Sequence, residues 1–248
     1  METTYIFKRV ERKYLIDEVT KKRLLQRTKG ALLLDEYGKS TICSLYIDTP
    51  DHRIIRNSID ADAYKEKLRL RSYGTPKDDS TVYLELKKKY QGIVYKRRVS
   101  LPLSVAKAYL ADGKIPDYTQ IWREIDYAMR FYGWPMPAMV VSYEREAYIW
   151  SSDPSFRVTF DSAPRARDTA LQLERGSAGS PLLPVGLELM EVKSAGAMPL
   201  AFSQVLNALQ IRPTSFSKYG TAYLNSLAKT PITTETATKG AMQYVSNL

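Results

Sequence analysis

The chain has 248 residues, 44% of them hydrophobic and 26% charged, and it carries a formal net charge of +10 with a pI near 9.5. This composition is typical of a globular protein with a substantial core, and the basic surplus indicates nucleic acid, a phosphate-rich molecule or polymer, or an anionic membrane surface as the partner. A single cysteine and a single histidine argue against a disulfide framework, a cysteine- or histidine-based metal site and Ser-His or Cys-His catalysis.

Hydrophobic periodicity and turn residues predict strands and helices in alternation. A first strand covers residues 7–16, and Asp17 is expected to cap an amphipathic helix that ends near Arg27. Further strands are predicted over residues 40–48, 63–73, 81–89, 94–101, 138–150, 156–161 and 186–193. Further helices are predicted over residues 49–58, 104–111, 119–132, 200–209 and up to about 227.

Two segments lack this periodicity. Residues 165–184 contain a run of glycine, serine and proline and are expected to form a mobile loop. Residues 229–248 are rich in threonine and are expected to form a tail without a core. We therefore predict one domain, residues 1–228, with an α+β fold: a closed antiparallel eight-stranded barrel with helices packed outside.

Targeting signals are not visible. Met1 is followed by charged sequence, and no run approaches the roughly 18 to 20 apolar residues that span a bilayer. We expect a cytoplasmic protein without a transmembrane segment, and the sequence leaves open whether a membrane protein is its partner.

Charged side chains share one face of most predicted strands, because successive side chains of a strand point to opposite sides. In the strand 63–73, Lys65, Lys67, Arg69 and Arg71 project to one side and the leucines to the other. The corresponding faces of the other strands carry Arg9, Glu11 and Lys13; Glu85 and Lys87; Lys96 and Arg98; Tyr143 and Arg145; Arg157; and Glu191 and Lys193.

A solvent-facing side would explain the charges of any single strand. The predicted amphipathic helices, however, need an apolar sheet face to cover. If they cover the outside of a closed barrel, the charged faces line its interior, which in an eight-stranded barrel can hold one ligand.

A lumen of this kind needs negative charge from its ligand. Burying like charges costs several kcal/mol per ion unless they are compensated, and Glu11, Glu85 and Glu191 are too few to do so. A polyphosphate chain has a suitable charge density, and arginine forks match its oxygens. Carboxylates beside phosphates need a bridging Mg²⁺ or Mn²⁺, for which Glu191 is the first candidate and Glu85 and Glu11 follow. Alternatively, Glu11 and Glu85 form plain ion pairs with Lys13 and Lys87.

The segment before the last predicted helix is a further candidate. Ser217 and Lys218 could offer a hydroxyl and an ammonium to a terminal phosphate at a helix N-terminus. A capping serine beside a surface lysine is the alternative.

Short motifs that follow one another along the chain carry a family resemblance. They are Arg9-Val10-Glu11-Arg12-Lys13-Tyr14, Ser44-Leu45-Tyr46-Ile47-Asp48-Thr49, Lys67-Leu68-Arg69-Leu70-Arg71, Glu85-Leu86-Lys87, Lys96-Arg97-Arg98, Tyr143-Glu144-Arg145, Arg157-Val158-Thr159-Phe160-Asp161, Glu191-Val192-Lys193 and Ser217-Lys218-Tyr219-Gly220. In this order, over about residues 5–225, they resemble the VTC (vacuolar transporter chaperone) polyphosphate polymerase domain of the CYTH-like triphosphate tunnel metalloenzyme superfamily.

The resemblance implies a tunnel barrel with Mn²⁺ or Mg²⁺ at Glu191. It implies transfer of the ATP γ-phosphoryl group to a growing inorganic polyphosphate chain with release of ADP. The expected catalytic positions are Lys13, Arg69, Arg71, Lys87, Lys96, Arg145, Arg157 and Lys218. The expected substrate contacts are Lys67, Arg98, Tyr143, Lys193 and Ser217.

Departures from the family pattern narrow the prediction. Arg9 stands where the wider superfamily has the first of its alternating glutamates, which fits the polymerase branch better than the triphosphatase branch. Without a sensor domain or membrane helices, the chain looks like the stand-alone bacterial form. A tripolyphosphatase or nucleoside triphosphatase of the same fold and a non-catalytic polyphosphate-binding module remain alternatives. Nucleic acid is not expected, because no aromatic stacking platform is evident on the basic strands.

Overall fold

The computed structural model describes residues 10–61, 63–91, 93–114 and 119–229. Arg9 and the predicted tail beyond residue 229 lie outside these ranges, so the expectations for them stay predictions. None of the helices within the ranges has the length and apolar character that crossing a membrane requires.

The described residues form an α+β domain. Its strands are β1 (Val10–Asp17), β2 (Leu32–Asp48), β3 (Tyr64–Tyr73), β4 (Thr81–Tyr90), β5 (Ile93–Pro102), β6 (Met136–Trp150), β7 (Asp153–Arg167), β8 (Ser180–Pro181) and β9 (Leu187–Ser194). Its helices are α1 (Glu18–Arg27), α2 (Arg53–Asp60), α3 (Leu103–Asp112), α4 (Gln120–Phe131), α5 (Leu200–Ala208) and α6 (Lys218–Lys229), with a 3-10 turn at Leu173–Arg175.

Carboxylates fix the starts of two helices. As predicted, Asp17 caps α1, and its side chain accepts a hydrogen bond from the backbone N–H of Thr20 at 2.7 Å. Helix α2 has no such cap of its own. Instead the buried Asp48 at the end of β2 accepts from the backbone N–H groups of Ile54 and Ile55 at 2.9 and 3.0 Å.

The strands form one antiparallel sheet in the order β1-β9-β7-β6-β2-β3-β4-β5, with β8 paired to β7. The predicted closed barrel is not shown, since β1 and β5 stand at the two ends of this hydrogen-bonded path. The sheet is nevertheless strongly curved, because Glu11 Oε2 on β1 lies 3.6 Å from Lys87 Nζ on β4. The charged face is therefore concave.

Apolar side chains fill the opposite, convex face of the sheet. Leu68, Leu70, Leu84 and Leu86 are buried in one cluster with residues of α3 and α4. A second cluster joins the outward residues of β1, β7 and β9 to α1 and α5. These four helices lie outside the sheet, as predicted, and the alternation of the strands places the charges on the other side.

Helix α6 does not pack outside, so the expectation that all helices do so was wrong for it, and α2 contributes Ile55 to the same cluster. Tyr219, Ala222 and Tyr223 pack with Tyr46 and Tyr143, which belong to the concave face. The rings of Tyr46 and Tyr219 stack with centroids 4.2 Å apart and planes 13° apart. Helix α6 therefore covers one end of the concave face, where the inward residues of β2 and β6 are apolar.

The prediction of a loop over residues 165–184 was wrong in part. Strand β7 continues to Arg167, and β8 pairs with it, while Leu173 and Leu182 are buried. The Arg167 guanidinium donates to the backbone oxygens of Ala170, Gln172, Gly176 and Ala178 at 2.8–2.9 Å. These hydrogen bonds give the glycine-rich segment a defined path that its composition did not indicate.

Candidate functional site

Strand register aligns the charged residues across the concave face. On one side, Arg69 of β3 lies opposite Glu85 of β4, and Glu85 lies opposite Arg98 of β5. The next row contains Lys67, Lys87 and Lys96. On the other side, Lys13 of β1 pairs with Glu191 of β9, which pairs with Thr159 of β7.

Glu85 is the anionic centre of the first group. Its side chain is fully buried, and Oε2 accepts from Arg69 Nε at 2.7 Å while Oε1 accepts from Arg98 Nε at 2.6 Å. Lys96 Nζ is 2.8 Å from Oε1. Burial alone would raise the pKa of Glu85, but Arg69, Arg71 and Lys96 outweigh it and hold that pKa far below its usual range. Glu85 is therefore the shared counter-ion of several cations.

Asp161 and Glu191 form the second anionic centre. Arg145 binds Asp161 in bidentate fashion, through Nε and Nη2 at 2.6 and 2.7 Å, and Nη2 also lies 3.1 Å from Glu191. Lys218 of α6 bonds Asp161 at 2.5 Å, and Lys193 bonds Glu191 at 2.9 Å. Burial would raise the pKa of Glu191, but Lys193, Lys218 and Arg145 outweigh it and hold that pKa well below its ordinary value.

Asp161 was not among the carboxylates predicted for the site. It lies at the end of the alternation that begins at Arg157 and passes through Thr159, so extending the face of the strand by two residues would have found it. The hydroxyl of Thr159 is buried on the same face and has no hydrogen-bond partner among the described residues.

Glu11 of β1 lies between lysines of β1 and β4. Its carboxylate lies 3.7 Å from Lys13 Nζ and 3.6 Å from Lys87 Nζ. Burial would raise the pKa of Glu11, but the cations around it, Lys87 and Lys193 first, lower it overall. Of the two ion pairs considered from the sequence, the one with Lys13 is present for Glu11, whereas Glu85 pairs with Arg69, Arg98 and Lys96 instead of Lys87.

Arg71 and Lys67 have no carboxylate partner among the described residues. Arg71 is buried and donates to Ser44 Oγ at 3.2 Å and to the Tyr143 hydroxyl at 3.3 Å. Lys67 donates to Ser217 Oγ at 2.9 Å. Burial, together with nearby cations, lowers the pKa of Lys67 to about 8. Neither cation therefore forms a direct ion pair with a carboxylate in the described part of the chain.

The hydroxyl of Tyr46 lies close to the same cations. Burial would raise the pKa of its hydroxyl, but Arg69, Lys67 and Arg71 lower it to about 8. The Arg69 Nη1 atom donates to this hydroxyl at 3.4 Å. From the sequence, Tyr46 belonged to one of the family motifs but had no predicted role.

Most predicted site residues therefore meet on the concave face, and Arg157, opposite Lys193 in register, pairs away from both anionic centres. It is 40% exposed and pairs with Asp35 Oδ2 at 2.8 Å, near the start of β2. The Lys13 ammonium donates to the backbone oxygen of Phe216 at 2.6 Å, and Lys218 Nζ lies 4.4 Å from the Tyr143 ring centroid. Ser217, just before α6, and Lys218, its first residue, thus lie beside the charged groups of the concave face, and their contact with phosphate stays a prediction.

The carboxylates fit a metal ion only in part. Within the described ranges, no group of three or more His, Cys, Asp or Glu side chains could hold one. Both oxygens of Glu85 are already occupied by cations. Glu191 and Glu11 are close enough to influence each other's pKa, and the unpaired Thr159 hydroxyl lies on the strand beside Glu191. One or two carboxylates plus phosphate oxygens is a normal Mg²⁺ environment, so Glu191 with Glu11 fits a metal that arrives with phosphate.

Comparisons with solved structures show the same fold at low sequence identity. A Bacillus halodurans protein provisionally named an adenylate cyclase is 16% identical with a TM-score of 0.51, and the alignment covers 84% of this chain and 92% of that chain. A Hippeastrum protein, also provisionally named an adenylyl cyclase and described as revealing a dominant triphosphatase activity, is 12% identical with a TM-score of 0.50, covering 88% and 95%.

The search of curated proteins finds no match. The family model described as the VTC domain, however, matches residues 8–227, almost the whole range that carries the charged face and the helices around it. This match confirms the resemblance seen in the motifs: the chain belongs to the VTC domain family.

Proposed function

We propose that the protein is a metal-dependent polyphosphate polymerase, which transfers the γ-phosphoryl group of ATP to a growing inorganic polyphosphate chain and releases ADP. The observation that carries the proposal is the imbalance of charge on the concave face. Its cations outnumber its carboxylates, and the buried Arg71 and the half-buried Lys67 have no carboxylate partner among the described residues. Such an arrangement is costly unless a polyanion completes it.

The cations are placed to hold several phosphates in a row. Arg71 and Lys67 offer donors that no carboxylate occupies, and Arg69 lies between them on β3. Across the concave face, Lys13 and Lys218 approach from β1 and α6. Phosphoryl transfer depends chiefly on positioning and charge neutralisation, which these side chains can supply without a covalent intermediate.

Glu191 and Glu11 are the residues that would hold Mn²⁺ or Mg²⁺, which when bound would offset the charge on the transferred group. The ammonium groups of Lys193 and Lys218, now near the Glu191 oxygens, are the ones that must shift toward phosphate in that state. The acceptor is a phosphate oxygen, already ionised at neutral pH, so no protein general base is required. This agrees with the position of the single histidine, His52, beside α2 rather than on the charged face.

A direct assay tests the proposal. Purified protein is incubated with ATP and Mn²⁺ or Mg²⁺, and ADP, free phosphate and long-chain polyphosphate are each quantified. We expect ADP and polyphosphate to form together with little free phosphate. Arg69→Ala, Arg71→Ala and Glu191→Ala should each abolish turnover in a folded protein, whereas Arg23→Ala, on the exposed side of α1, should not. Wild-type rates in the first three variants would refute the site assignment.

Hydrolysis of tripolyphosphate or nucleoside triphosphate is the second candidate. It is favoured by α6, which covers one end of the concave face and so restricts the exit that a long product needs. The triphosphatase activity described for the Hippeastrum protein of the same fold is consistent with it. Free phosphate without polyphosphate in the assay would establish this alternative, and tight polyphosphate binding without turnover would indicate a binding module.

A further inference from the structure

Two tyrosines and an arginine form a cluster at one end of the concave face. Arg98 lies over the ring of Tyr83, with Cζ 4.4 Å from the ring centroid. The rings of Tyr73 and Tyr83 meet edge to face, with centroids 5.6 Å apart and planes at 84°. Arg98 Nη2 also donates to the Tyr73 hydroxyl at 3.4 Å. We call Tyr73, Tyr83 and Arg98 the aromatic rim.

The aromatic rim lies where β3 ends and β4 begins. Along β3, Lys67 contacts Ser217, just before α6, and Arg69 contacts Tyr46, which stacks on α6. Arg71 and then Tyr73 follow on the same face toward the end of β3, with Tyr83 of β4 opposite Arg71. Tyr73 is 51% exposed at the end of its strand, so the aromatic rim stands at the solvent boundary of the charged face.

The aromatic rim is also continuous with the phosphate-binding groups. Arg98 bonds both the Tyr73 hydroxyl and Glu85, the counter-ion shared with Arg69. A strand rises about 3.4 Å per residue, so Tyr73 lies about 14 Å from Arg69 along β3. An extended nucleoside triphosphate separates its base from its γ-phosphate by a comparable length.

We propose that the aromatic rim binds the nucleobase of the nucleoside triphosphate donor, and that this base is a purine. Tyrosine rings and an arginine plane are the groups on which bases stack, and a purine offers the larger surface for stacking. The inference rests on the proposed function, since it assumes a nucleotide whose triphosphate occupies the cations. It also corrects the expectation that the basic strands carry no stacking platform, because Tyr73, Tyr83 and Arg98 come together only through strand pairing.

Binding of ATP and inorganic tripolyphosphate tests the inference. Both ligands are titrated calorimetrically in EDTA, so that no metal-dependent turnover occurs, into wild-type protein and Tyr73→Ala/Tyr83→Ala. We expect the double variant to bind ATP about tenfold more weakly, as loss of one stacked base would give, and tripolyphosphate within about twofold of wild type. Tripolyphosphate binding also shows that the variant is folded.

Matched control variants and a series of nucleotides test whether the loss of ATP affinity comes from the lost stacking of the base. Tyr73→Phe keeps the ring and should retain ATP affinity, and so should Tyr90→Ala, which removes an exposed tyrosine from the other end of β4. In wild type, ATP and GTP should bind more tightly than CTP, and the difference should disappear in the double variant. Equal losses for ATP and tripolyphosphate, or no loss for either, would overturn the inference. If the polymerase proposal is wrong, the activity assay will yield no polyphosphate, whatever the binding titrations show.

Discussion

Arg71 and Lys67 distinguish this site from an ordinary network of ion pairs. Carboxylates accompany Arg69, Arg98 and Arg145, so each of these arginines is compensated within the protein. Arg71 is held by hydroxyl groups, and Lys67 by the hydroxyl of Ser217. Hydroxyls position a cation without neutralising it, which leaves its charge available to a ligand.

A pH dependence of binding follows from Lys67. Its pKa is lowered to about 8 in the free protein, chiefly by burial, and a bound polyanion favours the charged ammonium and raises that pKa again. Affinity for tripolyphosphate should therefore be full below pH 8 and fall as the pH rises through about 8. Ionisation of Tyr46, whose pKa is also about 8, acts in the same direction by adding negative charge.

Calorimetric titration of tripolyphosphate between pH 6.5 and 9.5, with EDTA present, measures the effect. Lys67→Arg keeps the positive charge over this range and should flatten the profile, and Tyr46→Phe should flatten it further. Lys96, with a pKa near 8, accounts for a remaining slope. The ligand's own titration is common to all variants, so identical profiles for the wild type and Lys67→Arg would contradict the environment described for Lys67.

Glu85→Gln separates the two roles considered for this carboxylate. As a buried counter-ion, Glu85 compensates Arg69, Arg98 and Lys96, so the uncharged amide should lower the free energy of unfolding by about 3 kcal/mol. Urea denaturation measures this loss. Tripolyphosphate should restore part of it by supplying charge, and the metal requirement of turnover should be unchanged. Undiminished stability with a weakened metal dependence would favour a metal ligand instead.

At the scale of elements, the first turn of α6 connects the fold to the site. Ser217 Oγ accepts a hydrogen bond from the backbone N–H of Gly220 at 3.1 Å and another from Lys67 Nζ. A Cβ at position 220 would lie 3.2 Å from both Cβ and Oγ of Ser217. The absence of a side chain at Gly220 thus allows Ser217 to sit close enough to hold Lys67.

Gly220→Ala should weaken the site while sparing the fold. Alanine favours the helix, so thermal stability should be equal or higher, but the displaced Ser217 loses part of its bond to a charged group, and KM for ATP should rise up to about tenfold. Steady-state kinetics and thermal melts measure the two effects. Gly196→Ala is the matched control, because an added Cβ there meets nothing within 4 Å.

A double-mutant cycle checks that the effect passes through Ser217. If Gly220→Ala acts by moving Ser217, it should add little to the kinetic defect of Ser217→Ala. Fully additive defects would show that position 220 acts by another route.

The elements themselves were largely predictable, because alternation in strands and helical periodicity are local properties. The cap at Asp17 and the leucines of β3 illustrate this, as does the charged face that they leave on the other side. The position of α6 was not predictable in this way. The tyrosines of α6 follow the periodicity of any helix that packs on a core, so they do not indicate which face of the sheet the helix covers. Contacts with Tyr46, far away in the sequence, place the helix over the concave face. The pairing of Glu85 with Arg98 likewise depends on the register of two strands.

At the scale of the molecule, the net charge of +10 is not spread evenly. On the solvent-facing side of α1, Lys22 pairs with Glu18, whereas the concave face gathers cations from several strands and α6. Self-repulsion on that face opposes folding, and a polyanion that binds only the folded state relieves it. Ligand binding and stability should therefore be strongly coupled in this protein.

Thermal melts with and without tripolyphosphate test this coupling. A ligand at a hundredfold excess over its Kd stabilises the folded state by about 2.7 kcal/mol, which for a domain of this size raises Tm by about 5 to 10 °C. Lys67→Ala/Arg71→Ala should lose most of this rise, since both side chains lie on the concave face without a carboxylate partner in the described part of the chain. Arg23→Ala/Lys29→Ala removes the same charge from exposed positions and should keep it. An equal loss in both double variants would mean that net charge, and not the concave face, determines the response.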